Sequence, residues 1–97
     1  MSRWMDKKNV DRYKQGIERY LEDIGKIIRL VKFQWGFEGV VDVEGEDYYY
    51  YTFEYQGEDQ FSVKCKWTDF SVEDYVGPGF GPEHTDYCGF LTIREVE

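Results

Sequence analysis

The sequence predicts an α+β fold in which one long N-terminal helix packs on a four-stranded antiparallel sheet. Two patterns predict it: apolar residues recur every three or four positions over residues 9–33, and from residue 36 onward they alternate with polar residues. The first pattern is typical of an amphipathic helix and the second of half-buried strands. With 97 residues, of which 41% are hydrophobic, the chain is expected to form one domain over 1–97.

The helix is predicted over residues 9–33, after a flexible segment at 1–8. Asp6 or Asn9 can cap its start. The apolar stripe of this helix comprises Val10, Tyr13, Ile17, Tyr20, Leu21, Ile24, Ile27, Ile28 and Val31. This spacing favours a helix lying on the sheet, but it also fits a heptad seam. A homo-oligomer paired through the helix is therefore the alternative.

Three strands follow, in which mainly apolar positions alternate with mainly polar ones. They are predicted at about 37–44, 48–55 and 60–67. The two connections both read Gly-Glu-Asp and are interpreted as three-residue loops, the first at 45–47. In that register Val41 lies opposite Tyr51 and Phe53 lies opposite Val63. Residues expected to face the helix therefore lie opposite one another.

The end of the chain is predicted as a loop at 73–86 and a fourth strand from Tyr87 to Val96. The face on which Phe90 lies stays open, because Gly89 is able to form a bulge. A helix followed by an antiparallel meander is similar in outline to the cystatin-like architecture. That resemblance implies a fold and carries no function.

The run Asp47 to Tyr55 reads DYYYYTFEY. By parity, Tyr49 and Tyr51 are expected to face the helix, whereas Tyr48 and Tyr50 are expected on the opposite, mostly acidic surface. Tyrosine is frequent at rigid amphipathic interfaces. The predicted partner-binding residues on this surface are Tyr48, Tyr50, Asp42, Glu44 and Glu54.

A second predicted contact point is Phe80, in the stretch GPGFG. Glycines and prolines on both sides leave this ring few neighbours, which indicates a residue presented to a partner. The glycines do not indicate a phosphate-binding loop, because the prolines lack backbone donors and the neighbouring residues are acidic.

The charge distribution predicts the class of partner. The net charge is −8, divided into +4 over residues 1–33 and −12 over residues 34–97. Such a chain repels nucleic acid and anionic membranes and attracts basic protein surfaces. We therefore expect a small acidic protein-binding module, an inhibitor or adaptor that docks on a basic surface such as a nucleic-acid-binding cleft. In size and charge it resembles small phage anti-restriction and anti-CRISPR proteins, which implies mimicry of nucleic acid.

Other chemistry has little support. A small-ligand pocket lined by Tyr20, Tyr51 and Trp67 is a further alternative. The spacing of His84, Asp86 and Cys88 would set three reactive groups on one face of a strand, but about 6.5–7 Å apart, too far for a base to reach a nucleophile. No catalysis, metal, cofactor or disulfide is expected, and both Cys65 and Cys88 are interpreted as packing thiols. The expected location is the cytoplasm, or the host cytoplasm if the protein is viral.

Overall fold

The computed structural model describes residues 3–43, 45, 47–68 and 85–93. One helix packs on an antiparallel sheet in which the strand order is the chain order, β1-β2-β3-β4-β5. The elements are a 3-10 turn Arg3–Met5, α1 Lys7–Ile24, β1 Lys26–Phe33, β2 Gly36–Val43, β3 Asp47–Gly57, β4 Gln60–Thr68 and β5 Thr85–Thr92. The predicted α+β fold is confirmed, with five strands in place of four.

The predicted helix over residues 9–33 is wrong at its C-terminal end. Helix α1 stops at Ile24, and residues 26–33 form the additional strand β1. Gly25 leaves the helix in an extended conformation while its N–H still donates to the Leu21 carbonyl. A Cβ atom at Gly25 would lie 2.8 Å from the Asp42 carbonyl oxygen, so the chain crosses from helix to sheet where no side chain fits. The β-branched residues that follow then favour a strand.

The predicted flexibility of residues 1–8 is also wrong for the part of that segment that the structure describes. Trp4 is almost completely buried. Its ring stacks on Tyr55 at 5.4 Å between centroids and meets Phe61 edge-on at 6.4 Å. The Lys32 ammonium lies 5.4 Å above the same ring. The start of the chain is therefore part of the core.

The core lies between α1 and the inner face of the sheet, which is the face that α1 covers. The helix buries Tyr13, Gly16, Ile17 and Leu21. The sheet contributes Phe37, Val41, Tyr51, Phe53, Phe61, Val63 and Cys65, and Ile93 completes the cluster. Burying each large apolar side chain of this kind contributes about 1.5–3 kcal/mol. The part of the apolar stripe that lies in α1 packs on this core.

The first hairpin keeps the predicted faces but not the predicted register. Val41 lies opposite Tyr49, two residues from its predicted partner Tyr51, because the connection is 44–46 and not 45–47. A shift by two residues leaves every side chain on its original face. Backbones approach closely at the other end of this hairpin, where a Cβ atom on Gly36 would lie 1.7 Å from the Phe53 carbonyl oxygen.

The second hairpin has the predicted register. Its inner pairs are Tyr49 with Trp67, Tyr51 with Cys65, Phe53 with Val63 and Tyr55 with Phe61. The turn itself is shorter than predicted, because Gly57 pairs with Gln60 across a bulge. Glu58 and Asp59 form the turn with φ of 53° and 64°. This left-handed conformation is uncommon for residues other than glycine, asparagine and aspartate.

Strand β5 begins earlier than predicted, at Thr85, and ends at Thr92. Gly89 has φ of 103°, and the register shifts beside its partner Val63, so a bulge forms as the glycine suggested. Phe90 pairs with Ser62 and lies on the outer face of the sheet, away from α1. The rest of the predicted loop, at 73–84, lies outside the described residues.

Candidate functional site

The outer face of the sheet holds the four predicted partner-binding residues that the structure describes. Strand pairing places Tyr48, Tyr50, Asp42 and Glu54 together on this face, as predicted. Glu44 and Phe80 lie outside the described residues. We refer to this surface as the outer face, with Lys26, Arg29, Val31, Glu38, Val40, Thr52, Ser62, Lys64, Lys66 and Phe90 as its other main members.

The prediction that Tyr50 is exposed is wrong. Its side chain is only 5% exposed and packs with Val40, Ile28 and Tyr48 in a small second cluster. The Tyr50 hydroxyl donates a hydrogen bond to Glu38 Oε2 at 3.0 Å. The additional strand β1 supplies Ile28 to this cluster. Tyr50 is therefore a structural residue of the outer face, whereas the half-buried Tyr48 remains partly accessible.

The prediction of a mostly acidic outer face is also wrong for the side chains that the structure describes. Carboxylates occupy the middle of the face, on β2 and β3. We call these carboxylates, Glu38, Asp42 and Glu54, the acidic strip. Cations lie on both sides of this strip, Lys26 and Arg29 on β1 and Lys64 and Lys66 on β4. The acidic strip is thus bordered by basic strands. The prediction missed the cations of β1 because this segment was expected to be helical.

Large apolar side chains are exposed at both borders of the outer face. Val31 on β1 is 43% exposed and Phe90 on β5 is 59% exposed. With neighbouring strands about 4.8 Å apart, these two strands are separated by roughly 19 Å. Trp35 is 57% exposed in the turn between β1 and β2. Sequence reasoning missed Val31 as a surface residue because it was placed in the helix, and it left the face of Phe90 open because of the bulge.

A second candidate site is a groove between the start of α1 and the β3–β4 turn. It has a volume of about 400 Å³ and is lined by Asn9, Arg12, Tyr13, Tyr55, Gly57, Glu58 and Asp59. Arg12 Nη2 and the Tyr13 hydroxyl both donate to Asp59 Oδ1, at 2.8 Å and 2.7 Å. The backbone N–H of Ile93 donates to the Asp59 carbonyl oxygen at 2.9 Å. Asp59 therefore joins the helix, the turn and the end of β5.

The electrostatics of this groove favour a structural role. Burial raises the pKa of Tyr13 well above its ordinary value of 10.0, and the hydrogen bond to Asp59 raises it further. The hydroxyl stays protonated and donates to the carboxylate, which already accepts from Arg12. The groove is thus closed on one side by a satisfied polar cluster, which we call the Asp59 clamp and define by Arg12, Tyr13 and Asp59.

The ligand pocket expected near Tyr20, Tyr51 and Trp67 is filled by side chains where the structure describes it. Tyr20 meets Tyr51 edge-on at 6.5 Å and Phe53 at 6.0 Å between centroids. Tyr51 is itself buried against Phe53. The side chain of Trp67 lies outside the described set. The rings of Tyr20 and Tyr51 form part of the core.

The structure brings together little that could support metal binding or nucleophilic catalysis. Among residues with described side chains, no group of three or more His, Cys, Asp or Glu could hold a metal ion. Cys65 is a buried thiol on the inner face. His84 and the side chains of Asp86 and Cys88 are outside the described residues. The expectation of no catalysis remains a prediction.

Within the described part of the chain, no helix is long and apolar enough to cross a membrane. The chain matches no protein-family model, and neither a curated protein nor a solved structure is significantly similar to it. Function therefore has to be argued from the surface itself.

Proposed function

We propose that the protein is a binding module that docks on a basic protein surface through the outer face of its sheet. The observation that carries the proposal is the pair of exposed apolar side chains, Val31 and Phe90, on a face that none of the described elements covers. Aromatic residues such as Phe90 are enriched in protein interfaces, and the apolar Val31 lies at the opposite border of the same face. Tyr48 and the carboxylates of the acidic strip lie between them and supply polar contacts.

Net charge supports a basic partner. The chain carries −8 overall and −12 beyond residue 33, so its long-range field attracts positively charged surfaces and accelerates encounter. At close range, Glu38, Asp42 and Glu54 would meet the partner's cations. Their basic borders on β1 and β4 restrict the fit to partners whose positive charge is concentrated in a strip.

A more specific form of the proposal is that the partner is a nucleic-acid-binding cleft, in which the carboxylates occupy phosphate positions. Its support is the size and the net charge of the chain. The carboxylates of the outer face add little support, because lysines and Arg29 interrupt them on both sides. The simpler proposal, a protein-binding module for a basic partner, uses all the observations on this face.

The test compares two charge reversals that change the net charge equally. In the first variant Asp42 and Glu54 on the outer face become Lys, and in the second the exposed Glu22 and Asp23 on α1 become Lys. Each variant has a net charge of −4 in place of −8, since every reversal adds two units. Both therefore lose the same long-range attraction, and only the first loses acidic contacts on the outer face.

The native chain and both variants are used as baits in a lysate of the producing cells, and captured proteins are identified and purified for binding measurements. We expect the outer-face variant to bind its basic partner at least tenfold more weakly than the helix variant, which corresponds to about 1.4 kcal/mol. Melting temperatures close to the native value would show that both variants fold. Equal losses in the two variants would contradict docking through the outer face.

A further inference from the structure

The edge of β1 provides a second docking element that the proposed function does not use. β1 is the terminal strand of an open sheet, and within the described residues β2 is the one strand paired with it. In an edge strand, the N–H and C=O groups of alternate residues point away from the sheet. Lys26, Val31 and Lys32 are exposed along this strand, so solvent reaches its length.

The geometry of β1 defines which part of the edge can accept another strand. Its pairing with β2 is interrupted between Ile27 and Arg29 and is then continuous to Phe33. A bulge bends and twists an edge and blocks pairing where it occurs. The regular stretch from Arg29 to Phe33 remains, and five residues is close to the usual length of a strand in a folded protein.

The net charge of β1 is positive, whereas the net charge of the other four strands taken together is negative. The strand contains Lys26, Arg29 and Lys32, and no carboxylate occurs anywhere between residues 24 and 37, the longest acid-free stretch of the chain. These cations exclude a second copy of β1, because antiparallel pairing of two such strands would bring six positive charges together. The same cations favour a strand that carries carboxylates.

We propose that the β1 edge binds an extended acidic segment of a partner protein by strand addition. Backbone hydrogen bonds to Arg29–Phe33 supply affinity. Carboxylates beside Lys32, and beside Lys26 where the bound segment continues past the bulge, supply selectivity. The proposal differs from docking through the outer face because it uses the backbone edge of β1 and the opposite charge, while Lys26, Arg29 and Val31 border both surfaces. At 0.15 M salt, charges more than about 8 Å from the edge are screened. The field at the edge is therefore set by its own cations together with Asp42 and Glu38 on the neighbouring strand.

The first experiment measures the affinity of labelled eight-residue peptides for the intact protein by fluorescence anisotropy at 0.15 M salt. One peptide alternates Glu with Val, a second alternates Lys with Val, and a third is the acidic peptide with a central Pro. We expect the acidic peptide to bind at least tenfold more tightly than either of the others. Equal affinity for the acidic and basic peptides, or no binding by any of them, would overturn the proposal.

Amide hydrogen exchange in the native protein distinguishes strand addition from simple electrostatic attraction. In the free protein, alternate amides between Arg29 and Phe33 point outward and should exchange quickly. With saturating acidic peptide these same amides should become at least tenfold slower, while their neighbours, bonded to β2, stay unchanged. Peptide binding without this alternating pattern would contradict strand addition.

A charge-reversal pair tests the role of the cations. Lys26→Glu with Lys32→Glu should lower affinity for the acidic peptide at least tenfold. The matched control reverses the exposed Lys8 and Lys14 on α1, which gives the same net charge, and should retain binding within about threefold. Equal loss in both variants, or self-association of the native chain through β1, would overturn the proposal.

Discussion

The Asp59 clamp predicts how much stability one carboxylate contributes by joining the helix to the β3–β4 turn. The perturbation is Asp59→Asn, which removes the charge and retains the size of the side chain. Asparagine also tolerates the left-handed conformation that Asp59 adopts at φ of 64°. The substitution therefore tests the clamp with little change in backbone strain.

The expected magnitude follows from the two hydrogen bonds at Asp59 Oδ1. A hydrogen bond to a charged group contributes about 1.5–3 kcal/mol and a neutral one about 0.5–1.5 kcal/mol, so each bond weakens by roughly 1 kcal/mol. The side chains of Arg12 and Asp59 are 28% and 26% exposed, and solvent screening reduces the ionic part. We expect a total loss of about 1–2 kcal/mol in the free energy of unfolding.

Urea denaturation at pH 7 measures this loss for Asp59→Asn, for Arg12→Gln and for the double variant. A loss of 1–2 kcal/mol corresponds to a melting temperature lower by roughly 5–15 °C for a chain of this length. Because both residues belong to one cluster, their effects should be non-additive by at least about 0.5 kcal/mol. A single-variant loss below about 0.3 kcal/mol, or strict additivity, would refute the clamp.

Three further predictions concern aromatic residues. The raised pKa of Tyr13 means that the unfolded chain loses this proton near pH 10 while the folded chain keeps it, so the free energy of unfolding falls above about pH 10 by up to about 1.4 kcal/mol per pH unit. Tyr13→Phe should reduce that slope in urea titrations between pH 9 and pH 11, and an unchanged slope would contradict the assignment. Trp4→Ala should cost about 3–5 kcal/mol in urea denaturation, as for other buried aromatic residues, whereas a nearly native value would restore a flexible N-terminus. Tyr50→Ala should cost about 3–5 kcal/mol and Tyr48→Ala clearly less in the same measurement, and equal costs would contradict the different burial of the two rings.

Alternation fixed the faces of the strands better than it fixed their pairing. In the second hairpin the predicted register is confirmed. In the first, Val41 meets Tyr49 and not Tyr51. Both registers set inner residues opposite inner residues, so a pattern with a period of two cannot distinguish them. The register depends on the residue at which the turn begins. Gly45 does not decide this, because both loop assignments contain it.

The segment that became β1 was misassigned because its apolar residues satisfy two periods at once. Ile24, Ile27, Ile28 and Val31 recur at helical spacing, so they extended the stripe of α1. Two signals pointed the other way: Gly25 can end a helix, and isoleucine and valine favour strands. The contacts of Gly25 with β2, which make the chain leave the helix there, are tertiary and cannot be read from local sequence.

This one error changed the description of the candidate site. Assigning Lys26 and Arg29 to a helix left the outer face with too few cations, so it was predicted to be mostly acidic. Assigning Ile28 to the helix removed an apolar neighbour of Tyr50, which was predicted to be exposed. The side of the sheet on which Tyr48 and Tyr50 lie was still correct, because it depends on parity within β3 alone.

The agreement between strand order and chain order has a consequence for folding kinetics. Every strand pair forms between consecutive strands, so the sheet can grow through short loop closures, which favour fast folding. The contact between Arg12 and Asp59 instead joins residues 47 positions apart. We therefore expect α1 to dock after the central hairpins have formed. Substitutions at Arg12 should then mainly accelerate unfolding and leave the refolding rate almost unchanged.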